Sequence, residues 1–142
     1  MPDLPDINVW VALVYEGHEH HAVAREWFER SEAIEARFCR VTQLGLLRLL
    51  TLDAVMGDEV LGQRDAWRVY DALARDPRVS WSGEPDGLEP VWRGLTLATG
   101  RRSRQWTDAY LAAFSAAGDL RLVTFDRALG RTAPGRAGTL TR

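Results

Sequence analysis

The sequence predicts an α/β protein, a three-layer α/β/α sandwich around a central, mostly parallel sheet. Short apolar runs typical of strands alternate with segments of helical period along the whole chain, and this is the element order of parallel α/β folds. The run 120–126 is mostly apolar and ends in an acid. This pattern is expected where a buried strand ends at the ligand-binding edge of a parallel sheet. Because no repeat, low-complexity tract or linker interrupts the alternation, we expect residues 1–142 to form one domain.

The first elements follow a short apolar opening that ends near Asp6. The almost wholly apolar run 9–15 predicts a short buried helix. From His20 onward, apolar residues at i, i+1, i+4 and i+5 predict an amphipathic helix whose arginines and glutamates face solvent. The run 36–41 then predicts a strand.

A leucine-rich helix is predicted over 43–52, with Thr42 as its N-cap. Its leucines lie almost all around the helix, so we expect it to be largely buried. A charged side chain in such a helix is unusual, which draws attention to Arg48.

The second half of the chain continues the alternation. Asp76-Pro77 is a strong helix terminator, and Thr107 is a plausible cap for a later helix. The predicted elements are a loop over 56–63, a helix over 66–74, a strand over 79–81, helices over 88–95 and from 107, a strand over 121–125 and an edge strand over 138–141.

Composition excludes several classes of protein. The net charge of −2 excludes a strongly basic nucleic-acid binder, although all 18 cationic residues are arginine, which grips phosphate well. The lone Cys39 predicts a buried structural thiol in a reducing compartment. No stretch approaches the ~20 apolar residues of a membrane span, and the acidic start does not resemble a signal peptide, so we expect a cytoplasmic protein.

Asp6, Asp108 and Asp126 each stand where a predicted strand gives way to the next element or a helix begins. If the fold gathers them at one sheet edge, they form a site for a hard divalent ion such as Mg²⁺ or Mn²⁺. Each also has an ordinary explanation, as a helix cap, a first-turn acid or a turn residue. The residues alone leave both interpretations open, and Asn8 and Thr124 are polar companions of the acids.

Other motifs point less clearly to chemistry. His18, His20 and His21 lack the partners of a tetrahedral zinc site, so surface or packing roles are favoured. Serine-hydrolase elbows and phosphate-binding P-loops are absent from the sequence. A cationic patch precedes the Asp108 helix and either steers a phosphodiester backbone or keeps a loop soluble; it consists of Arg101, Arg102 and Arg104.

Taken together, the segments resemble the PIN-domain ribonucleases, and most closely the VapC-type toxins of bacterial toxin–antitoxin pairs. The segments that carry the resemblance are Leu4-Pro-Asp-Ile-Asn-Val-Trp-Val-Ala-Leu13, His18-Glu-His-His21 with Ala24 and Trp27, Thr42-Gln-Leu-Gly-Leu-Leu-Arg48, Ala54-Val-Met-Gly57, Trp106-Thr-Asp-Ala-Tyr-Leu111 and Leu122-Val-Thr-Phe-Asp126. Their order and spacing match those of the family.

The resemblance implies a Mg²⁺- or Mn²⁺-dependent endoribonuclease with catalytic, metal-binding acids at Asp6, Asp108 and Asp126. Asn8 and Thr124 would support the site. The chain departs from the family at Gly45, where most members place a glutamate, and this leaves open the number of metal ions. Gln43 or a water is an expected substitute for the missing acid, and Arg48 is expected near the site, near a buried carboxylate or at a partner.

The expected partners are RNA, a cognate antitoxin and a second copy of the chain in a homodimer, since the chain has more apolar surface than a monomer of this size must bury. One alternative is a catalytically weak PIN-like module that binds RNA or a partner without cutting. A second is a hydrolase or phosphatase that uses the same acids on a small substrate, which is disfavoured because no phosphate-cradling loop is visible.

Overall fold

A computed structural model of the chain describes residues 1–30, 34–99, 105–132 and 137–141. Within these ranges five strands form one sheet in the order β3-β2-β1-β4-β5, and every neighbouring pair is parallel. The predicted α/β class is therefore confirmed. The strands are β1 (Asp3–Pro5), β2 (Ala36–Phe38), β3 (Val79–Trp81), β4 (Arg121–Thr124) and β5 (Ala137–Thr139).

Helices connect the strands and cover both faces of the sheet. They are α1 (Ile7–Val14), α2 (His21–Glu29), α3 (Arg40–Leu50), α4 (Asp53–Met56), α5 (Gln63–Arg75), α6 (Leu88–Thr99), α7 (Gln105–Ala117) and α8 (Arg127–Thr132), with a 3-10 turn at Gly57–Glu59. Of the helices in the described ranges, none has both the length and the apolar character needed to cross a bilayer.

Two apolar cores lie on opposite faces of the sheet, as expected when both faces of a parallel sheet are covered. In the core beneath α1, α2, α3 and α5, Trp10 stacks on Phe38 with ring centroids 3.9 Å apart. In the core beneath α7, Leu4, Phe114 and Leu122 are fully buried. This is the predicted three-layer arrangement, and it leaves the carboxyl ends of the strands along one edge.

Helix α3 begins three residues before the predicted start. Arg40 is its first residue, and Thr42 lies inside the first turn, where its Oγ1 accepts from the Cys39 amide at 3.0 Å and donates to the Cys39 carbonyl at 3.1 Å. Thr42 therefore stabilises the helix start from within and is not the N-cap. Cys39 is buried, as predicted.

The prediction that the leucine-rich helix is largely buried is wrong. Leu46 and Leu50 are buried against α1 and α5, but Leu44 is 64% exposed and Arg48 is also exposed. Leu47 and Leu49 are half-buried against the same core, whereas Leu44 and Arg48 lie on the outer face of the helix. A sequence in which apolar residues surround a helix does not reveal which side the fold leaves uncovered.

The remaining boundaries agree closely with the sequence. Helix α5 ends at Arg75, just before Asp76-Pro77, and β5 forms one residue earlier than the predicted edge strand. Three short elements were not predicted: α4 follows the leucine-rich helix, part of the expected loop over 56–63 forms the 3-10 turn, and α8 occupies part of the weakly patterned C-terminal stretch. Helix α7 begins at Gln105, two residues before Thr107.

Candidate active site

Asp6 lies directly after β1 and is the N-cap of α1. Its Oδ1 accepts from the Ile7 amide at 2.7 Å, and its own amide donates to the Val123 carbonyl at 2.8 Å. The residue is only 8% exposed. Both the local cap and the neighbouring strand β4 thus fix the Asp6 carboxylate at the carboxyl end of the sheet.

Thr124, the last residue of β4, connects two of the predicted acids. Its fully buried hydroxyl donates to Asp6 Oδ2 at 3.1 Å and accepts from the Asp126 amide at 3.0 Å. One hydroxyl both donates and accepts, so Thr124 holds the Asp6 side chain and the Asp126 backbone at a set spacing.

Asp126 occupies the start of α8. Its Oδ1 accepts from the amides of Ala128 at 2.8 Å and Leu129 at 3.3 Å. This is the capping role that the ordinary interpretation assigned to the residue. Capping engages one oxygen, and a carboxylate has about four acceptor positions, so the cap does not exhaust its capacity to bind.

The three carboxylates repel one another. Burial raises the pKa of Asp6 to about 6, against hydrogen bonds from Thr124 and Ile7 that lower it, and the charges of Asp108 and Asp126 raise it further. Burial also raises the pKa of Asp108, in the first turn of α7, and the charge of Asp126 adds to the effect. The fold therefore brings Asp6, Asp108 and Asp126 close enough for mutual repulsion, a situation that a cation would relieve.

The donor chemistry suits a hydrated hard ion better than a closed protein cage. Across the described residues, no group of three or more His, Cys, Asp or Glu side chains is arranged so that it could hold a metal ion by itself. Mg²⁺, however, usually keeps several waters and takes one or two carboxylates together with substrate phosphate oxygens. The oxygen donors of Asp6, Asp108 and Asp126 fit that mode of binding.

The other predicted site residues have varied surroundings. Asn8 is exposed on α1, and the buried Gln43 oxygen accepts from Arg40 Nη1 at 2.6 Å. Arg48 lines a separate cleft between α3 and α5 together with Leu44 and other residues. The predicted cationic patch, Arg101, Arg102 and Arg104, lies outside the described residues.

The position of the missing glutamate is filled by an apolar side chain. A Cβ built on Gly45 would lie 2.6 Å from Ile7 Cγ1 and 3.0 Å from Ile7 Cγ2, distances at which something must move. Ile7 directly follows Asp6, so its side chain occupies the space in which a residue larger than glycine would begin. No local sequence pattern singles out Ile7, because its role depends on the contact between α1 and α3.

The histidine loop, residues 18–21, packs against the carboxyl edge of the sheet. The His20 ring stacks on Phe125 with centroids 4.5 Å apart, and His21 Nδ1 lies 2.7 Å from the Ala12 carbonyl oxygen. These contacts confirm a packing role for the two histidines. Because Phe125 lies between Thr124 and Asp126, the loop also supports the segment that carries both residues.

Comparisons with known proteins agree on one family. The family model for the PIN domain matches residues 4–134. The chain is 44% identical to Ribonuclease VapC41 of Mycobacterium tuberculosis over 130 residues, which cover 88% of this chain and 89% of that protein. It is 35% identical to Ribonuclease VapC38 of the same species over 123 residues, covering 87% of this chain and 84% of the relative.

A solved structure shares the fold. PAE2754 from Pyrobaculum aerophilum aligns with a TM-score of 0.60 at 22% sequence identity, over 96% of this chain and 83% of that one. At this level of identity the likeness concerns the fold alone, and it agrees with the α/β sandwich described above.

Proposed function

The chain belongs to the PIN-domain family and, within it, to the VapC ribonucleases, and on that premise we propose that it is an endoribonuclease toxin that hydrolyses RNA phosphodiester bonds with Mg²⁺ or Mn²⁺. One observation supports the proposal: at the carboxyl edge of the parallel sheet, where such folds bind ligands, Thr124 hydrogen-bonds the Asp6 carboxylate and the Asp126 amide, and the charges of Asp108 and Asp126 raise the pKa of Asp6. We further propose that residues 1–142 form one PIN domain in the cytoplasm.

The roles of the residues follow from their contacts. Asp6, Asp108 and Asp126 would hold the ion, while Thr124 keeps Asp6 and Asp126 in register through its two hydrogen bonds. When bound, a divalent ion supplies Lewis-acid activation of water and stabilises charge on the phosphate and the leaving oxygen. Hydrolysis adds water across the phosphodiester, breaks one P–O bond and returns a proton to the leaving oxygen.

The experiment measures RNA cleavage by the purified chain with Mg²⁺ or Mn²⁺, with EDTA, and with Asp108→Asn. We expect EDTA and Asp108→Asn each to abolish cleavage. Asp71→Asn, which changes an exposed acid on α5, is the matched control and should cleave like the wild type. Metal-independent cleavage, or full activity of Asp108→Asn, would contradict the proposal.

A second readout separates metal binding from catalysis. Titration of the ion should raise the melting temperature of the wild type, because a ligand that binds only the folded state stabilises it. The rise should be much smaller for Asp108→Asn and unchanged for Asp71→Asn. Equal rises in all three proteins would place the ion elsewhere.

A catalytically weak PIN-like binding module is the second candidate. The Ile7 side chain packed against Gly45 favours it, because that contact leaves no room for a fourth acid unless Ile7 moves. A module of this kind would bind RNA or a partner in the same assay and release no cleavage products at any metal concentration.

An antitoxin and a second copy of the chain are the proposed protein partners. The support is the exposed apolar outer face of α3, where Leu44 is 64% exposed. Light scattering tests the homodimer, and Leu44→Glu should shift a dimer towards monomer. A monomer at micromolar concentration would remove the claim.

A further inference from the structure

Trp81 and Arg40 form an exposed pair at the edge of the sheet. Trp81 is the last residue of β3 and is 44% exposed. The guanidinium carbon of Arg40, the first residue of α3, lies 4.7 Å from the centroid of the Trp81 ring. An indole and a guanidinium at this separation form a cation–π contact, and here the contact faces solvent.

Both members of the pair are held in place by the protein. Trp81 pairs with Phe38 in the sheet, and the next amide, that of Ser82, donates to the Phe38 carbonyl at 2.8 Å. Arg40 Nη1 donates to Gln43 Oε1 at 2.6 Å, and the buried Gln43 also hydrogen-bonds the Tyr70 side chain. The Trp81 backbone and the Arg40 guanidinium are thus fixed, which reduces the conformational entropy lost when a ligand binds.

The pair lies at the same edge as the acids. Residues that follow β1, β2 and β3 emerge from one end of the parallel sheet, and these strands are consecutive neighbours in the order β3-β2-β1. Adjacent strands are ~4.8 Å apart, so the end of β3 lies roughly 10 Å across the sheet from the end of β1, which leads into Asp6. A single extended strand of nucleic acid can therefore reach both places.

We propose that the Arg40–Trp81 pair is a subsite for single-stranded RNA beside the acidic site, a deepening that rests on the proposed ribonuclease function. An unpaired base stacks on the solvent-exposed part of this indole–guanidinium pair, and the Arg40 donors that Gln43 does not use bind a phosphate. Aromatic rings and guanidinium planes recognise unstacked bases, whereas paired bases are not free to stack on them. The guanidinium also offsets the repulsion between RNA phosphates and the nearby carboxylates.

The experiment compares Trp81→Ala, Trp81→Phe and Trp67→Ala in RNA cleavage and in binding of labelled single-stranded RNA, the latter in an Asp108→Asn background that does not cut. Trp67 is the matched control, since it is 49% exposed but lines the cleft between α3 and α5. Light scattering checks that the variants share one association state, and thermal melting checks that they are folded.

We expect Trp81→Ala to raise the RNA Kd and the KM by roughly 5- to 150-fold, the equivalent of about 1–3 kcal/mol for one stacked base, with kcat unchanged. Trp81→Phe should retain most of the affinity, and Trp67→Ala should resemble the parent protein. Arg40→Ala should weaken binding and reduce the slope of log Kd against log salt by about 0.7, as for one lost phosphate contact to a single strand.

The outcomes separate this inference from the ribonuclease proposal. If the wild type cleaves RNA and Trp81→Ala has the Kd and KM of Trp67→Ala, the subsite is wrong and the nuclease stands. If the wild type binds RNA through Trp81 without cutting it, the nuclease proposal fails and the subsite stands. If the wild type binds no RNA, both fail. Loss of antitoxin binding by Trp81→Ala with unchanged RNA affinity would mark a protein interface and overturn the subsite.

Discussion

Asp3 and Asp6 flank the same short strand, and the fold treats their buried carboxylates in opposite ways. Asp3, 3% exposed, accepts from Arg121 Nε at 2.9 Å and Nη2 at 3.0 Å and from Trp27 Nε1 at 3.2 Å. Asp6, 8% exposed, accepts from the Thr124 hydroxyl and the Ile7 amide, and the charges of two further carboxylates raise its pKa. At the amino edge of the sheet, Arg121 neutralises the charge of Asp3. At the carboxyl edge, no cation within the described residues compensates the charge of Asp6 in this way.

We interpret this difference as that between a structural acid, Asp3, and a proposed functional acid, Asp6. A carboxylate with a guanidinium partner is stable in the protein alone, whereas Asp6 gains most when a cation arrives. Sites that sacrifice stability for binding are where ionisable groups with perturbed pKa values concentrate. Substitutions at Asp6, Asp3 and Gly45 test whether the two acids differ in this way.

Asp6→Asn should reduce the rate of metal-dependent RNA cleavage by ~100-fold or more, because metal stabilisation of transition-state charge is worth several kcal/mol. The same change should leave the metal-free protein at least as stable as the wild type at neutral pH. Cleavage assays and urea unfolding measure the two effects. If folded Asp6→Asn cleaved RNA at the wild-type rate, the proposed functional role of Asp6 would be wrong.

The stability gained by Asp6→Asn should depend on pH in a defined way. The folded-state pKa of Asp6, about 6, exceeds its ordinary value of 3.8, so the folded protein holds this proton more tightly than the unfolded chain does. Protonation of Asp6 therefore stabilises the folded protein fully below about pH 4. This stabilisation, roughly 3 kcal/mol in the free energy of unfolding, is lost as the pH rises to about 6. The free energies of unfolding of the wild type and Asp6→Asn, measured in EDTA at several pH values, should diverge across that pH window. A constant difference would contradict the assignment.

Asp3→Asn should have the complementary effect. It removes the charge that Arg121 pairs with and turns an amide N–H group towards a donor, so we expect a loss of about 1–3 kcal/mol in the free energy of unfolding. The loss stays moderate because Arg121 is 49% exposed and its charge returns to water. Cleavage per folded molecule should be unchanged, and a specific loss of kcat would show that Asp3 also serves the active edge.

Gly45→Ala tests the apolar wall beside Asp6. The new methyl group meets the β-branched Ile7, so it should destabilise the wild type by about 1 kcal/mol, as overpacking outweighs the gain in helix propensity. In an Ile7→Ala background the clash disappears, and the same change should stabilise by about 1 kcal/mol. A double-mutant cycle of unfolding free energies measures the coupling; additive effects would mean that the two residues do not touch.

Much of the fold could be predicted because its signals are local. Apolar runs and helical periodicity located the strands and most helices, and Asp76-Pro77 fixed the end of α5. The errors arose where packing decides: the outer face of α3 carries Leu44, which no local pattern distinguishes from the buried leucines, and Thr42 stabilises α3 from inside its first turn. Of the predicted site residues, Asp6, Asp126 and Thr124 are joined by hydrogen bonds. Gln43 instead accepts a hydrogen bond from Arg40, and Arg48 lines the cleft between α3 and α5.

By itself the sequence determined the α/β class, the family and the acids at strand ends, since residue type and spacing carry these signals. Only the tertiary structure decided which acid is neutralised. Asp3 meets Arg121 and Asp6 meets Thr124, both across 118 positions of sequence, because strand order sets β1 beside β4. The same long-range geometry places Ile7 against Gly45 and Arg40 over Trp81. Contacts of this kind depend on which elements become neighbours, and no local pattern encodes that.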